Sequence, residues 1–299
     1  MRVLVSGASG LVGSALLRSL EAQGDPAVAL VRRDGASGVR WDPKTGRFDD
    51  AAAEGFDAVV HLAGANVAAG RWSERRKSEI RDSRVLGTRL LAERLAALCR
   101  PPRVLVCASA AGFYGNAGAA PCTEVSPMGR GFLAEVCRDW EAACEPAAER
   151  GIRVVKLRIG LVLAKQGGAL PRMVPAFKLG LGARIGDGRQ WVGWITLADL
   201  VGVIERTIAD ETLSGPVNAV APESVTNAQF TATLARVLHR PAFFAVPAFV
   251  LRAALGEMAD ELLLAGARVI PTRLVDIGFP FENPELEPAL RALTQGSSF

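Results

Sequence analysis

One stretch near the start of the chain limits its fold more than any other: Val3-Leu4-Val5-Ser6-Gly7-Ala8-Ser9-Gly10-Leu11-Val12-Gly13. A short apolar run of strand character meets three glycines spaced three apart, and a helical pattern over Leu11–Gln23 follows. In such a strand–turn–helix, Gly7 permits the tight turn, Gly10 lets backbone approach a ligand with no Cβ in the way, and Gly13 lets the helix pack closely on the strand. The helix N-terminus, with Ser9, Gly10, Leu11 and Val12 around it, then offers unpaired N–H groups and the positive end of a dipole to an anion. No Lys-Ser/Thr follows the glycines, which disfavours a nucleotide triphosphate loop. Taken alone the loop could be a glycine-rich turn without a ligand. Its position at the first strand-to-helix turn of an alternating chain selects a dinucleotide diphosphate.

The alternation is clear in the first half. Strands are predicted at Arg2–Ser6, Ala27–Val31, Asp57–Leu62, Val104–Ala108 and Ile152–Arg158. Helices are predicted at Leu11–Gln23, Ser73–Cys99 and Leu133–Arg150. In Ser73–Cys99 the residues Ile80, Leu86, Leu90, Leu91 and Leu95 are read as one apolar stripe. This pattern predicts an α/β chain: a Rossmann-type doubly wound parallel sheet with a smaller, mainly helical C-terminal substrate domain. The expected division is 1–164 for the dinucleotide-binding domain, with 191–221 returning to it, and 165–190 plus 222–299 for the smaller substrate-side domain. In that second part, helices are expected at Asn227–Leu238, Pro247–Leu255, Met258–Ala265 and Pro271–Ile277.

The second strand points to the dinucleotide. An acid at its end would bind the ribose 2′-hydroxyl of NAD, but this strand runs into Arg32 and Arg33. Guanidinium groups pair with a 2′-phosphate and stack on adenine, so NADP(H) is the expected cofactor. The third strand ends in Leu62-Ala63-Gly64-Ala65, whose small residues let backbone pass close to the ribose and diphosphate. His61, inside an apolar strand, is read as a packed core histidine.

Composition narrows the partners. The formal net charge is +4 over 299 residues, with basic residues scattered, so a nucleic acid partner is not expected. Five cysteines lack a C-x-x-C pair and only two histidines are present, so no metal site is expected. The cysteines read as reduced thiols, Cys107 as a buried one, in a cytoplasmic protein. There is no secretory h-region and no bilayer-spanning stretch, so no membrane partner is expected. The helix at 73–99 is a candidate surface for a homodimer.

Together these residues resemble the extended short-chain dehydrogenase/reductase family. The loop is similar to its T-G-x-x-G-x-x-G with Ser6 for Thr, Val59–Gly64 to its V-x-H-L-A-A/G, Phe113-Tyr114-Gly115 to its V-Y-G, and Trp194–Asp199 to its F-I-H-V-D-D. Arg71-Trp72, Ser83-Arg84-x-x-Gly87-Thr88, Gly131–Glu141 and Gly278-Phe279-x-Phe281 resemble an atypical sugar-nucleotide epimerase-like subgroup with a characteristic C-terminal extension. The resemblance implies that Arg32 and Arg33 hold the 2′-phosphate and that Leu62 and Ala63 line the ribose. It also implies polar contacts from Glu79 and Arg84, and backbone facing the nicotinamide at Gly160 and Leu161. Read without it, Glu79 and Arg84 are a solvated surface pair.

The usual Tyr-x-x-x-Lys pair of that family is absent. There is one tyrosine, Tyr114, and it stands in the V-Y-G position. The helix that should carry the pair offers Phe132 with Val136, Leu133 with Cys137, or Ala134 with Arg138. The expected hydroxyl position is Ala110, with Ser109 next to it. The catalytic residue is therefore unknown, with Ser109, Tyr114 and Arg138 as candidates. Each has a structural alternative: a strand-end cap, packing beneath the pocket, or pairing with Glu135 or Glu141. Two functions stay open. One is an NADP(H)-dependent oxidoreductase or epimerase acting on a nucleotide-sugar or other carbonyl or hydroxyl substrate. The other is a non-catalytic NADP(H)-binding sensor or interaction protein. Arg172, Lys178, Arg184, Arg189 and Trp191 would suit a phosphorylated or nucleotide-linked small molecule, or are plain surface.

Overall fold

The computed structural model describes residues 1–32 and 35–295. Its first part contains β1 (Val3–Ser6), α1 (Leu11–Ala22), β2 (Ala27–Val31), β3 (Val39–Asp42), β4 (Arg47–Phe48), α2 (Asp50–Ala53), β5 (Ala58–His61), α3 (Glu74–Ala97) and β6 (Val104–Ala110). A 3-10 turn (Ala111–Tyr114) then leads to β7 (Gly118–Cys122), α4 (Phe132–Ala142), α5 (Glu145–Glu149), β8 (Arg153–Ile159) and β9 (Leu161–Leu163). Next come α6 (Leu170–Lys178), β10 (Ala183–Ile185), β11 (Trp191–Val192), β12 (Trp194–Thr196), α7 (Leu197–Ala209) and β13 (Gly215–Ala219). The remainder is β14 (Val225–Thr226), α8 (Asn227–Val237), β15 (Phe244–Val246), α9 (Ala248–Leu255), α10 (Glu257–Ala259), a π-helical turn (Asp260–Leu264), β16 (Ala267–Val269), α11 (Thr272–Asp276) and α12 (Leu286–Gln295).

Eight strands form the main sheet in the order β13-β8-β6-β5-β1-β2-β3-β4. Its pairings are parallel except for β3 with β4. The order reverses at β1, so β1 and β5 are neighbours from which the chain winds outward in both directions. Crevices at the carboxyl ends of such strands are where α/β sheets bind ligands.

Side-chain alternation explains why helices cover both faces. Val3 and Val5 of β1 pack with Leu16 and Leu20 of α1 and with Leu200 and Ile204 of α7. Leu4, between them, points into a second core with Leu91 and Leu95 of α3 and Trp140 of α4. A strand buried on both faces needs apolar side chains along it, as Val3, Leu4 and Val5 provide, while the buried Ser6 hydroxyl at its end is hydrogen-bonded. A third core joins Leu163, Phe177, Trp194, Phe230, Leu234 and Leu290.

Several expectations need correction. The helix expected over Leu133–Arg150 is two helices, α4 and α5, broken around Ala143–Cys144. Met258–Ala265 is a short helix running into a π-helical turn. Leu86 does not belong to a buried stripe: it is 59% exposed, while Gly87 and Thr88 beside it are buried against Trp41 and Trp140. Among the described residues no helix is long and apolar enough to cross a membrane.

Candidate functional site

The glycine loop has the geometry its spacing predicts. Gly7 has φ +68°, and a Cβ on it would lie 2.9 Å from the Leu62 carbonyl carbon. A Cβ on Gly13 would lie 2.3 Å from the Gly7 carbonyl oxygen. Only glycine lets α1 start this close to the turn. Gly10 caps α1 with no side-chain hydrogen bond, and no acid occupies the first turn. The N–H groups at this end therefore have neither an intrahelical acceptor nor a capping side chain, and no local negative charge opposes an anion. Ser9 and Gly10 are exposed, Leu11 and Val12 half-buried. These features fit a dinucleotide diphosphate.

A buried hydroxyl joins this loop to the end of β5. Ser6 Oγ accepts from the amides of Leu62 at 3.1 Å and Ala63 at 3.3 Å, and lies 2.6 Å from His61 Nδ1. Burial holds the His61 pKa down to about 4, so the ring is neutral, and it meets Trp41 edge-on. It is a core histidine, as expected. Leu62 and Ala63 are half-buried and Gly64 exposed. Arg32 is exposed just past the end of β2. Arg33, its expected partner, lies outside the described residues.

Glu79 and Arg84 have separate roles. Arg84 is not a solvated surface residue. Its guanidinium donates to the Ala65 carbonyl at 3.0 Å and the Ile80 carbonyl at 3.1 Å, lies against Gly64, and faces the Trp140 ring. Glu79 is exposed and accepts from Arg76 at 2.6 Å; Arg76 also holds the Asn66 carbonyl, and Ser83 Oγ holds the Ala65 amide at 3.0 Å. The first turns of α3 thus anchor the 64–67 loop after β5. Arg76 and Ser83 were not anticipated from the sequence. Gly160 and Leu161 sit where β8 leaves the sheet: a Cβ on Gly160 would lie 2.5 Å from the Gly193 carbonyl oxygen, and the Leu161 amide donates to that same oxygen at 2.7 Å.

Of the three catalytic candidates, the fold joins Ser109 and Tyr114 in one buried network and leaves Arg138 apart. Ser109 is buried and donates to Glu141 Oε1 at 2.8 Å. Glu141 also accepts Arg158 Nε at 2.9 Å and Nη2 at 3.0 Å, and Arg158 is itself buried. Arg158 Nη1 donates to the Tyr114 hydroxyl at 2.9 Å, which lies 2.7 Å from Asn218 Oδ1 and 2.9 Å from the Thr123 carbonyl. Burial raises the Tyr114 pKa, with Arg158 working against it. Burial also opposes the charge on Arg158, but Glu141 more than offsets this and the net shift is upward. Arg138 is exposed and pairs with neither Glu135 nor Glu141 but with Asp139. One signal for the buried network was available: an arginine inside the apolar run of β8 requires a carboxylate partner.

Two residues of α4 face the end of β6. Leu133 Cβ would be 3.6 Å from a Cβ on Gly112, and Cys137 Sγ lies 3.8 Å from the Ala110 carbonyl oxygen. Burial, helped by the nearby Glu141 carboxylate, pushes the Cys137 thiol up to about 11. The amides of Phe132 and Leu133 that open this helix donate to the Glu261 carboxylate at 3.2 and 3.1 Å, a contact from the π-helical turn that sequence reading missed.

Comparison with known proteins is consistent with this geometry. A family model described as NAD dependent epimerase/dehydratase family matches residues 3–219, and one described as a domain of unknown function (DUF1731) matches residues 246–293. The chain is similar to epimerase family protein Mb2239 of Mycobacterium bovis, 44% identical over 290 residues that make up 96% of each protein. It superposes on the crystal structure of human epimerase family protein SDR39U1 (isoform 2) with NADPH at TM-score 0.91 and 34% identity, covering 99% of this chain and 100% of that one. It also superposes on a nucleoside-diphosphate sugar epimerase from Corynebacterium glutamicum at TM-score 0.80 and 36% identity, covering 99% of this chain but only 58% of that longer one.

Proposed function

The chain belongs to the NAD dependent epimerase/dehydratase family, and from that premise we propose that it binds NADP(H) and acts as an oxidoreductase or epimerase on a carbonyl or hydroxyl substrate, nucleotide-linked or phosphorylated. The observation that carries the binding half is the uncapped start of α1 pressed against Gly7 through Gly13. Human SDR39U1 was solved with NADPH, which supports the same choice here.

In this reading the amides of Leu11, Val12 and Gly13 hold the diphosphate, with Ser9 and Gly10 beside it. Arg32 and Arg33 hold the 2′-phosphate, Leu62, Ala63 and Gly64 border the ribose, and the backbone at Gly160 and Leu161 faces the nicotinamide. Arg84 acts through the loop carbonyl it holds, and Glu79 orients Arg76. When bound, the nicotinamide supplies hydride transfer. Residues 1–164 and 191–221 form the cofactor side, and 165–190 with 222–299 form the substrate side. A cytoplasmic setting agrees with five free cysteines. Leu86, exposed on α3, is the side chain a second copy would cover.

A specific observation favours a second reading, a non-catalytic NADP(H) sensor. Ser109 and Tyr114 are committed to buried partners, and Arg138 pairs with Asp139 on the surface. No proton-transfer pair is left at the expected place. Incubation with NADPH or NADP+ and a panel of nucleotide sugars and carbonyl compounds, followed both for net cofactor redox change and chromatographically for epimerised product, separates the readings. Turnover of any member by either readout supports the enzyme, and neither readout despite tight NADPH binding supports the sensor. Calorimetry tests the cofactor. The Arg32→Ala/Arg33→Ala double variant is expected to lose at least about tenfold in NADPH affinity and little for NADH. Equal affinities for both cofactors, unchanged by the double variant, would refute the assignment.

A further inference from the structure

Two segments of the second part of the chain share an unusual composition. Residues 166–186 contain no Asp or Glu but include Arg172, Lys178 and Arg184, and residues 224–256 contain no Asp or Glu but include Arg236, Arg240 and Arg252. The fold brings the two together. Strands β10 and β15 pair in parallel, with Ala183 opposite Phe244 and Arg184 opposite Ala245, and Arg240 Nε donates to the Lys178 carbonyl at 2.9 Å. Arg236 and Arg252 are neutralised by Glu287 and Asp260. Among the described residues, Arg172, Lys178, Arg184 and Arg240 form no ion pair.

The same surface carries exposed apolar side chains at its crests. Phe243 is 90% exposed, Leu179 75% and Phe249 71%, with Leu181, Phe244 and Val250 also open. Helix α9, Ala-Phe-Val-Leu-Arg-Ala-Ala-Leu, has no buried residue. Its Ala248, Leu251 and Leu255 are half-buried, but Phe249 and Val250 face water, where large apolar side chains are unsatisfied.

We propose that this face, built by the 178–184 and 239–252 segments, docks on the surface of an anionic phospholipid bilayer. Charge complementarity selects that occupant. A second copy meeting the same face across a two-fold axis would set three unpaired cations, Lys178, Arg184 and Arg240, against three, with no acid in either segment to offset them. Phosphate headgroups match the guanidinium and ammonium groups, while the protruding Phe and Leu side chains reach the acyl boundary beneath. The contact is peripheral and needs no spanning helix. It departs from the sequence-based expectation of no membrane partner, which rested on the lack of a span.

The full chain is sedimented with vesicles of phosphatidylcholine alone and with about a third phosphatidylglycerol added. Binding to the anionic vesicles is expected to fall with salt, and binding to the neutral ones to be weak. Each basic side chain near the surface contributes about fivefold, so Lys178→Gln/Arg240→Gln lowers partitioning about 25-fold. Phe243→Ser/Phe249→Ser lowers it at least about tenfold. Both variants change exposed side chains, and unchanged thermal unfolding checks that they fold; unchanged NADPH affinity in the phenylalanine variant separates this surface from the cofactor crevice. No binding to anionic vesicles, equal binding to neutral ones, or wild-type binding by both variants overturns the proposal. A dimer in sedimentation velocity that Phe243→Ser/Phe249→Ser dissociates would overturn it in favour of self-association.

Discussion

Replacing Gly13 with alanine is a direct test of the glycine loop. The added methyl would lie 2.3 Å from the Gly7 carbonyl oxygen, with backbone of Gly7 and Ala8 also within 3 Å. Carbon–oxygen contacts settle at about 3.3 Å or more, so the helix start and the turn must separate by about 1 Å. That displacement withdraws the N-terminal amides of α1 from the diphosphate. Hydrogen bonds to a charged group are worth about 1.5–3 kcal/mol each, so losing two weakens NADPH binding by about 3–6 kcal/mol, or about 10²- to 10⁴-fold. Titration calorimetry measures this in protein shown to be folded by circular dichroism. Gly24→Ala is the control: Gly24 has φ +79° with nothing within 4 Å. That substitution costs about 1–2 kcal/mol of stability through backbone strain and leaves NADPH affinity unchanged. A folded Gly13→Ala protein binding NADPH within about threefold of wild type would refute the reasoning.

Other consequences can be measured independently. Glu141→Gln leaves Arg158 buried without its countercharge and is expected to cost about 3–5 kcal/mol in urea unfolding; a loss under about 1 kcal/mol would mean the pair is not closed as described. His61 titrates at about 4 in the fold against 6.5 in the unfolded chain. Its stabilisation is therefore complete above pH 6.5 and shrinks as the pH falls towards 4, by about 3 kcal/mol in all. Between pH 7 and 4.5 wild type should lose correspondingly more stability than His61→Asn; parallel losses would contradict this. Of the five free thiols only Cys99 is exposed, so native protein should react rapidly with iodoacetamide at Cys99 alone. Comparably fast labelling of Cys137 would show that its thiol is not held near 11.

Local rules made much of this protein legible from its residues. Spacing alone identified the glycine turn, because a positive φ and a missing Cβ are properties of single positions. The apolar run Val3-Leu4-Val5 and the strand–helix alternation identified a sheet covered on both faces, because side-chain direction follows from backbone period. Counting one tyrosine was enough to remove the usual proton-transfer pair. What could not be read locally was which polar groups are already spoken for. Ser109 and Tyr114 looked available until the fold closed Glu141 and Arg158 around them, and Arg84 looked solvated until β5 and α4 covered it. Leu86 looked buried by its spacing, yet Gly87 and Thr88 are the residues that α3 turns inward. Hydrogen-bond commitment and burial depend on partners tens of residues away, and only the tertiary structure selects those partners.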